Sequence, residues 1–108
     1  MNYVTFINEL LKKEVAKHEK LVLFGQNINA GSSLGGFAKG LKPGKGGVVI
    51  NSTNAENALV GLGFGFMIEG GSSIFLMKQL DFLILGIDHM VNTYNFIRNV
   101  YGDKGVGS

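Results

Sequence analysis

Glu56 is the residue whose type and position best suit chemistry in this chain. It follows the polar residues 51–55, which in turn follow the short apolar run of residues 48–50. The apolar run predicts a strand and the residues after Glu56 predict a helix, so its carboxylate is expected at a strand-to-helix turn. In open α/β sheets, ligands bind in the crevice beyond the carboxyl ends of the strands. By position alone, the simpler role is favoured: a first-turn glutamate that complements the helix dipole, worth less than about 1 kcal/mol.

Other reactive residue types lack the spacing that their chemistry requires. His18 and His89 lie far apart with no ligand spacing around either, so no metal site is predicted and His89 is better explained by polar packing. The glycines within residues 31–36 and 61–65 match neither a dinucleotide fingerprint nor a P-loop, and turns or close helix packing explain them better. The serines have no nucleophile-elbow context. The sequence has no cysteine, which excludes disulfides and thiol catalysis.

The composition describes one small globular domain with an apolar surface. The chain has 108 residues, of which 45% are hydrophobic and 17% charged, and its net charge is +2. Its basic residues are dispersed, which does not favour nucleic-acid binding. Residues 74–91 are interrupted by charges and residues 58–68 are too few, so no membrane span is predicted. The first residues are neither a signal nor a transit peptide, so a cytoplasmic location is expected, and the apolar surface predicts a partner.

Helical periodicity, apolar runs and glycine breaks predict alternating helices and strands. The predicted elements are a helix at residues 3–18, strands at 21–25 and 48–50 joined by a glycine-rich connection with a helical turn near 37–41, a helix at 56–69, a strand at 73–77, and a long helix from about residue 80 to a loop at 101–105. Strands separated by helices predict a three-layer α/β fold with a mostly parallel sheet. No strand follows the last helix, so residues 1–108 are expected to form part of a larger domain.

Two helix faces are expected to make contacts. Ala58, Gly61 and Gly65 fall on one face of the second helix, where another backbone is expected to approach closely. One face of the last helix is formed by apolar residues, namely Leu80, Ile84, Ile87, Val91 and Tyr94.

From residue 5 to about residue 99, the chain resembles the beginning of the beta subunit of the thiamin-diphosphate-dependent component of 2-oxoacid dehydrogenase complexes. That subunit contains the pyrimidine-binding module of the transketolase-like superfamily. The matching stretches occur in order at residues 6–11, 21–27, 35–41, 56–61, 79–83 and 87–92. Their order and spacing carry the resemblance, rather than any single motif. It implies a pyrimidine-type α/β fold that is truncated after the third strand and its helix.

The resemblance implies an enzyme that decarboxylates a 2-oxoacid and transfers the acyl or aldehyde unit. It gives Glu56 a catalytic role, in which the carboxyl hydrogen-bonds N1′ of the cofactor's aminopyrimidine and favours its imino tautomer. Phe82 matches the aromatic residue that stacks on this ring, and Lys78 stands where the family often has an apolar ring contact. Leu59 and Phe82 are expected to shield Glu56 from water, and a cation at Lys78 is able to pair with Glu56.

The resemblance also implies partners. The chain lacks the Gly-Asp-Gly…Asn pattern that holds Mg²⁺ and the diphosphate. A diphosphate-binding, alpha-type subunit or second domain is therefore expected to hold Mg²⁺ and to share the thiamin diphosphate, and this chain is expected to be active only with it. Copies of the chain are expected to associate in a heterotetramer. Gln26 and Asn27 stand where the family often has acids, which favours a divergent member.

Three other functions stay open at this point. One is transketolase-like ketol transfer between sugars. Another is a non-catalytic interaction module that keeps the fold, which Lys78 favours and the retention of Glu56 with Phe82 opposes. The third is a plain small-molecule-binding α/β domain.

Overall fold

The computed structural model of the chain describes residues 1–102, in which helices surround a three-stranded parallel sheet. Its regular elements are α1 (Tyr3–Lys17), β1 (Leu21–Gly25), β2 (Val48–Asn51), α2 (Glu56–Ile68), β3 (Ser72–Leu76), α3 (Leu83–Asp88) and α4 (Tyr94–Tyr101). The strand order is β2-β1-β3, and both pairings are parallel. The predicted α/β fold is confirmed. Tyr101 ends α4, while the rest of the loop predicted at residues 101–105 lies outside the described residues beyond Gly102.

β1 is the central strand, and all five of its residues are buried. Its side chains alternate between the two faces of the sheet. On one face, Leu21 and Leu23 join a core cluster with Val15 of α1, which is 1% exposed. On the other face, the Phe24 ring stacks on Phe75 of β3 at a centroid distance of 5.0 Å. The continuous apolar run of β1 is therefore buried on both faces of the sheet, and each face packs against other parts of the fold.

α1 is fixed at its start and at its middle. The Asn2 side chain caps the helix, because its Oδ1 accepts a hydrogen bond from the Thr5 amide at 2.9 Å. Asn8 is the buried polar residue of this helix. Its Nδ2 donates to the carbonyl oxygens of Phe37 at 2.7 Å and Lys39 at 3.0 Å. These bonds fasten the glycine-rich connection to α1.

The helical turn predicted near residues 37–41 is present only as a chain of tight turns. The Leu41 amide bonds the Ala38 carbonyl oxygen at 3.3 Å, but no regular helix forms. Gly36 and Gly40 have φ angles of +95° and +69°. Positive φ is incompatible with a right-handed helix, so these two glycines limit the segment to turns.

The predicted last helix forms as four joined pieces. A 3₁₀ turn (Leu80–Phe82) leads into α3, and a π-helical turn (His89–Thr93) joins α3 to α4. Most of the predicted apolar face points away from the rest of the described chain: Leu80 is 81% exposed and Ile84 is 72% exposed. Only Tyr94 of that face finds an aromatic partner, stacking on Phe64 of α2. Within residues 1–102, no helix is long and apolar enough to cross a bilayer.

The predicted glycine face of α2 is approached by side chains rather than by another backbone. A Cβ atom at Gly61 would lie 3.1 Å from His89 Nε2. Gly63 is not part of that predicted face, and a Cβ atom there would lie 3.1 Å from Ser73 Oγ. At Gly65 it would meet no described atom within 4 Å. The expected backbone contact is therefore wrong for the described residues, and an imidazole occupies the space beside Gly61.

We expect Gly65→Ala to raise the free energy of unfolding by about 0.5–1 kcal/mol. Alanine loses less backbone entropy than glycine in a helix, and the added methyl group has open space. Urea denaturation followed by circular dichroism measures the change. Gly61→Ala is the matched control in the same helix and should gain less, because its methyl group presses on His89. Equal gains at both positions would contradict this difference in packing.

Candidate functional site

A small recess lies at the carboxyl edge of the sheet. Because the strands are parallel, their carboxyl ends meet at this edge. Ser52 follows β2, Lys78 follows β3 and Glu56 opens α2, and all three line the recess. Its remaining walls are Gln26, Thr53, Asn54, Leu59, Phe75, Leu76 and Met77. The fold thus gathers a carboxylate, an ammonium group and a hydroxyl at one edge.

Glu56 is half-buried at the start of a helix that has no side-chain cap. Ala55 occupies the N-cap position and offers no side-chain hydrogen bond. The first amides of α2 therefore leave a partial positive charge that a carboxylate complements. The simple dipole role suggested by the sequence is thus available to Glu56, alongside any role in the recess.

The pairing of Lys78 with Glu56 is absent from this structure. Within residues 1–102, no ion pair within 4 Å joins them, although both line the recess. Lys78 is exposed at the end of β3, so its flexible side chain gains little from a surface pair. The ammonium group is thereby left available for a ligand.

One of the two residues expected beside Glu56 lines the recess and the other does not. Leu59, one turn later in α2, lines the recess as expected. Phe82 is half-buried in the 3₁₀ turn and does not line the recess, whereas Phe75 of β3 does. The aromatic wall of this recess is therefore supplied by the sheet, and stacking by Phe82 stays a prediction.

Ser52 is a residue that the sequence reasoning missed. Its backbone amide donates to the Gly25 carbonyl oxygen at 2.8 Å, which extends the β1–β2 pairing by one step. Its Oγ is buried without a hydrogen-bond partner among the described residues. Leaving a buried hydroxyl unpaired costs about 1–3 kcal/mol, so such a group signals a missing partner. The available signal was its position among the polar residues 51–55, which follow a predicted strand at the ligand-binding edge.

A larger apolar cavity adjoins the recess on the α2 side of the sheet. The recess itself has a volume of only about 10 Å³, enough for about one water molecule. The neighbouring cavity has about 520 Å³ and shares the walls Leu59, Phe75 and Met77 with the recess. The recess alone is too small for a ring, whereas the adjoining cavity has room for one. Glu56 and Ser52 supply a carboxylate and a hydroxyl beside it, groups able to hydrogen-bond the polar edge of a ring such as an aminopyrimidine.

His89 has a structural position that fits polar packing. Asn57 Nδ2 donates to the Leu85 carbonyl oxygen at 3.1 Å, so Asn57 Oδ1 is free to accept from His89 Nε2 at 3.1 Å. The Nδ1 atom faces Thr93 Oγ1 at 3.1 Å. These contacts fasten the π-helical turn to the start of α2. Within residues 1–102, no three metal-ligating side chains gather into a cluster.

The α/β fold with a glutamate opening the helix after β2 is the arrangement that the sequence resemblance implies, that of a beta subunit of a thiamin-diphosphate-dependent 2-oxoacid dehydrogenase component. A comparison with curated proteins confirms the resemblance. The chain is 28% identical over 88 residues to the pyruvate dehydrogenase E1 component subunit beta, mitochondrial, of Dictyostelium discoideum. The match covers 81% of this chain and 25% of that protein, so the chain spans about a quarter of its relative's length. No protein-family model matches the chain, and no solved structure matches it.

Proposed function

We propose that this chain is the pyrimidine-binding part of a thiamin-diphosphate-dependent enzyme that decarboxylates a 2-oxoacid. Its similarity to a pyruvate dehydrogenase beta subunit supports the class of reaction. The observation that carries the proposal is the position of Glu56. Its carboxylate opens α2 at the carboxyl edge of the sheet, beside an apolar cavity and the Ser52 hydroxyl, which has no hydrogen-bond partner in the described part of the chain.

In this proposal, each group at the edge has a separate task. When bound, thiamin diphosphate supplies the chemistry that cleaves the bond to the carboxylate of the 2-oxoacid. Glu56 holds a proton at its carboxyl toward N1′ of the aminopyrimidine, and Lys78 contacts the rim of the same site. Leu59 keeps water from the carboxyl. Phe82 lines neither the recess nor the adjoining cavity, so the stacking on the ring that the resemblance implies requires its side chain to turn toward the cavity.

A partner chain completes the proposed enzyme. An alpha-type subunit would hold Mg²⁺ and the diphosphate, and copies of this chain would associate with it in a heterotetramer. The exposed apolar side chains of α3 and its neighbouring turns support an association, because exposed apolar surface of this extent marks contact sites. They include Leu80, Ile84, Leu85, Ile87 and Val91.

We expect the full chain, mixed with its alpha-type partner and Mg²⁺, to bind thiamin diphosphate saturably. Calorimetric titration measures this binding, and the chain alone should bind at least tenfold more weakly, since most of the diphosphate contacts belong to the partner. Thiamin monophosphate provides a control for the diphosphate contacts. A complex that forms but binds no cofactor would refute the enzyme proposal.

That negative outcome corresponds to a second candidate function, a non-catalytic interaction module. Two observations favour it: the exposed apolar face around Ile84, and the placement of Lys78 on the same recess as Glu56. Such a module should bind its partner equally well with and without thiamin diphosphate. Analytical ultracentrifugation of the mixture under both conditions separates the two functions.

A further inference from the structure

A second large cavity opens on the α1 side of the sheet. Its volume of about 540 Å³ lies within the range of small-molecule sites. Apolar side chains from three parts of the fold form most of its wall: Ile7 and Leu11 of α1, Leu34 and Phe37 of the glycine-rich connection, and Leu76 and Met77 at the end of β3. Asn27, Ser32 and Gly35 add a polar margin. Neither Glu56 nor α2 takes part.

Lys78 is the charged residue of this cavity. No carboxylate lines the wall, and within residues 1–102 no carboxylate lies within 4 Å of the Lys78 ammonium group. The cavity on the α2 side has a similar size but no charged lining residue. A single unneutralised cation at the margin of an apolar cavity complements a ligand with an apolar body and one negative end.

The wall opposite α1 is held in an unusual backbone conformation. Ser33 and Leu34 have φ angles of +50° and +55°, a region that residues other than glycine rarely adopt. The Ala38 amide secures this turn by donating to the Ser33 carbonyl oxygen at 3.1 Å. Asn8 ties the neighbouring Phe37 to α1 through a bond of 2.7 Å. Backbone strain of this kind persists where the surroundings enforce it and clusters at ligand sites.

We propose that this cavity binds a monocarboxylate with an aliphatic chain. The carboxylate lies at the Lys78 ammonium group, and the chain lies between α1 and the turn at Leu34. The proposal does not rest on the proposed cofactor site, although the two spaces adjoin and share the wall residues Leu76, Met77 and Lys78. Monocarboxylate binding can therefore be tested on the full chain alone, without cofactor or partner.

Octanoate is the probe, titrated into the full chain and followed by methyl NMR. Saturable shifts are expected at Ile7 and Leu34, and octanol should bind at least fivefold more weakly. Lys78→Met keeps an unbranched side chain of similar bulk and removes its charge, so we expect binding about fivefold weaker, while Lys78→Arg keeps the charge and should retain binding. Lys45→Met is the matched control, because Lys45 precedes β2 at the opposite end of the sheet and should leave binding unchanged.

Several results would overturn the proposal. One is the absence of saturable binding to a chain whose spectrum shows it folded. Another is equal affinity for octanol and octanoate, or for the Lys78→Met and unaltered chains. Shifts confined to Met67 and Met90 would place the ligand in the other cavity. If Lys45→Met and Lys78→Met lose the same octanoate affinity, the effect comes from the net charge of the chain and not from Lys78 in the cavity.

Discussion

Replacing Glu56 with glutamine is expected to remove most turnover while cofactor binding is retained. Glutamine has nearly the same size and still forms hydrogen bonds, but it cannot hold or release a proton at the position of the carboxyl. A positioned acid–base group contributes about 10²–10⁴-fold to rate, so we expect kcat to fall at least about a hundredfold. Steady-state turnover of a 2-oxoacid with the alpha-type partner and Mg²⁺ measures the loss. Calorimetry should show less than a tenfold change in the Kd of thiamin diphosphate.

Glu69→Gln is the matched control for this experiment. Glu69 lies at the other end of α2 and is exposed, and removing a negative charge near a helix C-terminus is neutral or slightly favourable. Glu56→Gln weakens the helix dipole interaction by about 0.3–1 kcal/mol, too little to explain a hundredfold loss in a folded protein. Unchanged turnover in Glu56→Gln would leave Glu56 with the dipole role alone. Equal losses in both variants would instead point to the stability of α2.

The strands and their parallel arrangement could be predicted because the signals are local, whereas the strand order β2-β1-β3 came only from the structure. The continuous apolar run at β1 marks a strand covered on both faces, and its burial in the structure follows from its central position. The π-helical turn (His89–Thr93) had no such signal, because the apolar period of the last helix continues through it. Its position coincides with the bond between His89 and Asn57, a contact between residues 32 positions apart. Hydrophobic spacing along one segment cannot report such a contact.

The candidate site was predictable in position but not in detail. Glu56 was placed at the ligand-binding edge by the rule that parallel strands end at one edge, and the family resemblance placed Lys78 near it. Whether they pair depends on the side-chain conformation of an exposed lysine, which sequence does not determine. The Ser52 hydroxyl, which has no hydrogen-bond partner among the described residues, lies in a recess whose walls come from α2, β3 and the segments after β1 and β2. Such features arise only when distant segments are packed together.

Gly86→Ala is expected to destabilise the fold by about 1–3 kcal/mol, although alanine is the better helix former by about 1 kcal/mol. Gly86 is the buried residue of α3. A Cβ atom there would overlap Val60 Cγ2 and would lie 3.4 Å from the Glu56 carbonyl oxygen. Relieving the overlap requires α3 to move away from the first turns of α2. Urea denaturation measures the loss, and Gly65→Ala, which has open space, should change stability in the opposite direction.

A double-mutant cycle with Val60→Ala tests the cause of that loss. Val60 is 7% exposed, so truncating it alone should also destabilise the fold. In the double variant, the smaller residue 60 makes room for the methyl group at residue 86. The double variant should therefore lose about 0.5–3 kcal/mol less unfolding free energy than the two single losses added together. If the losses of unfolding free energy are strictly additive, α2 and α3 do not pack this closely. The contact with α3 would then not be what holds Glu56 at the recess.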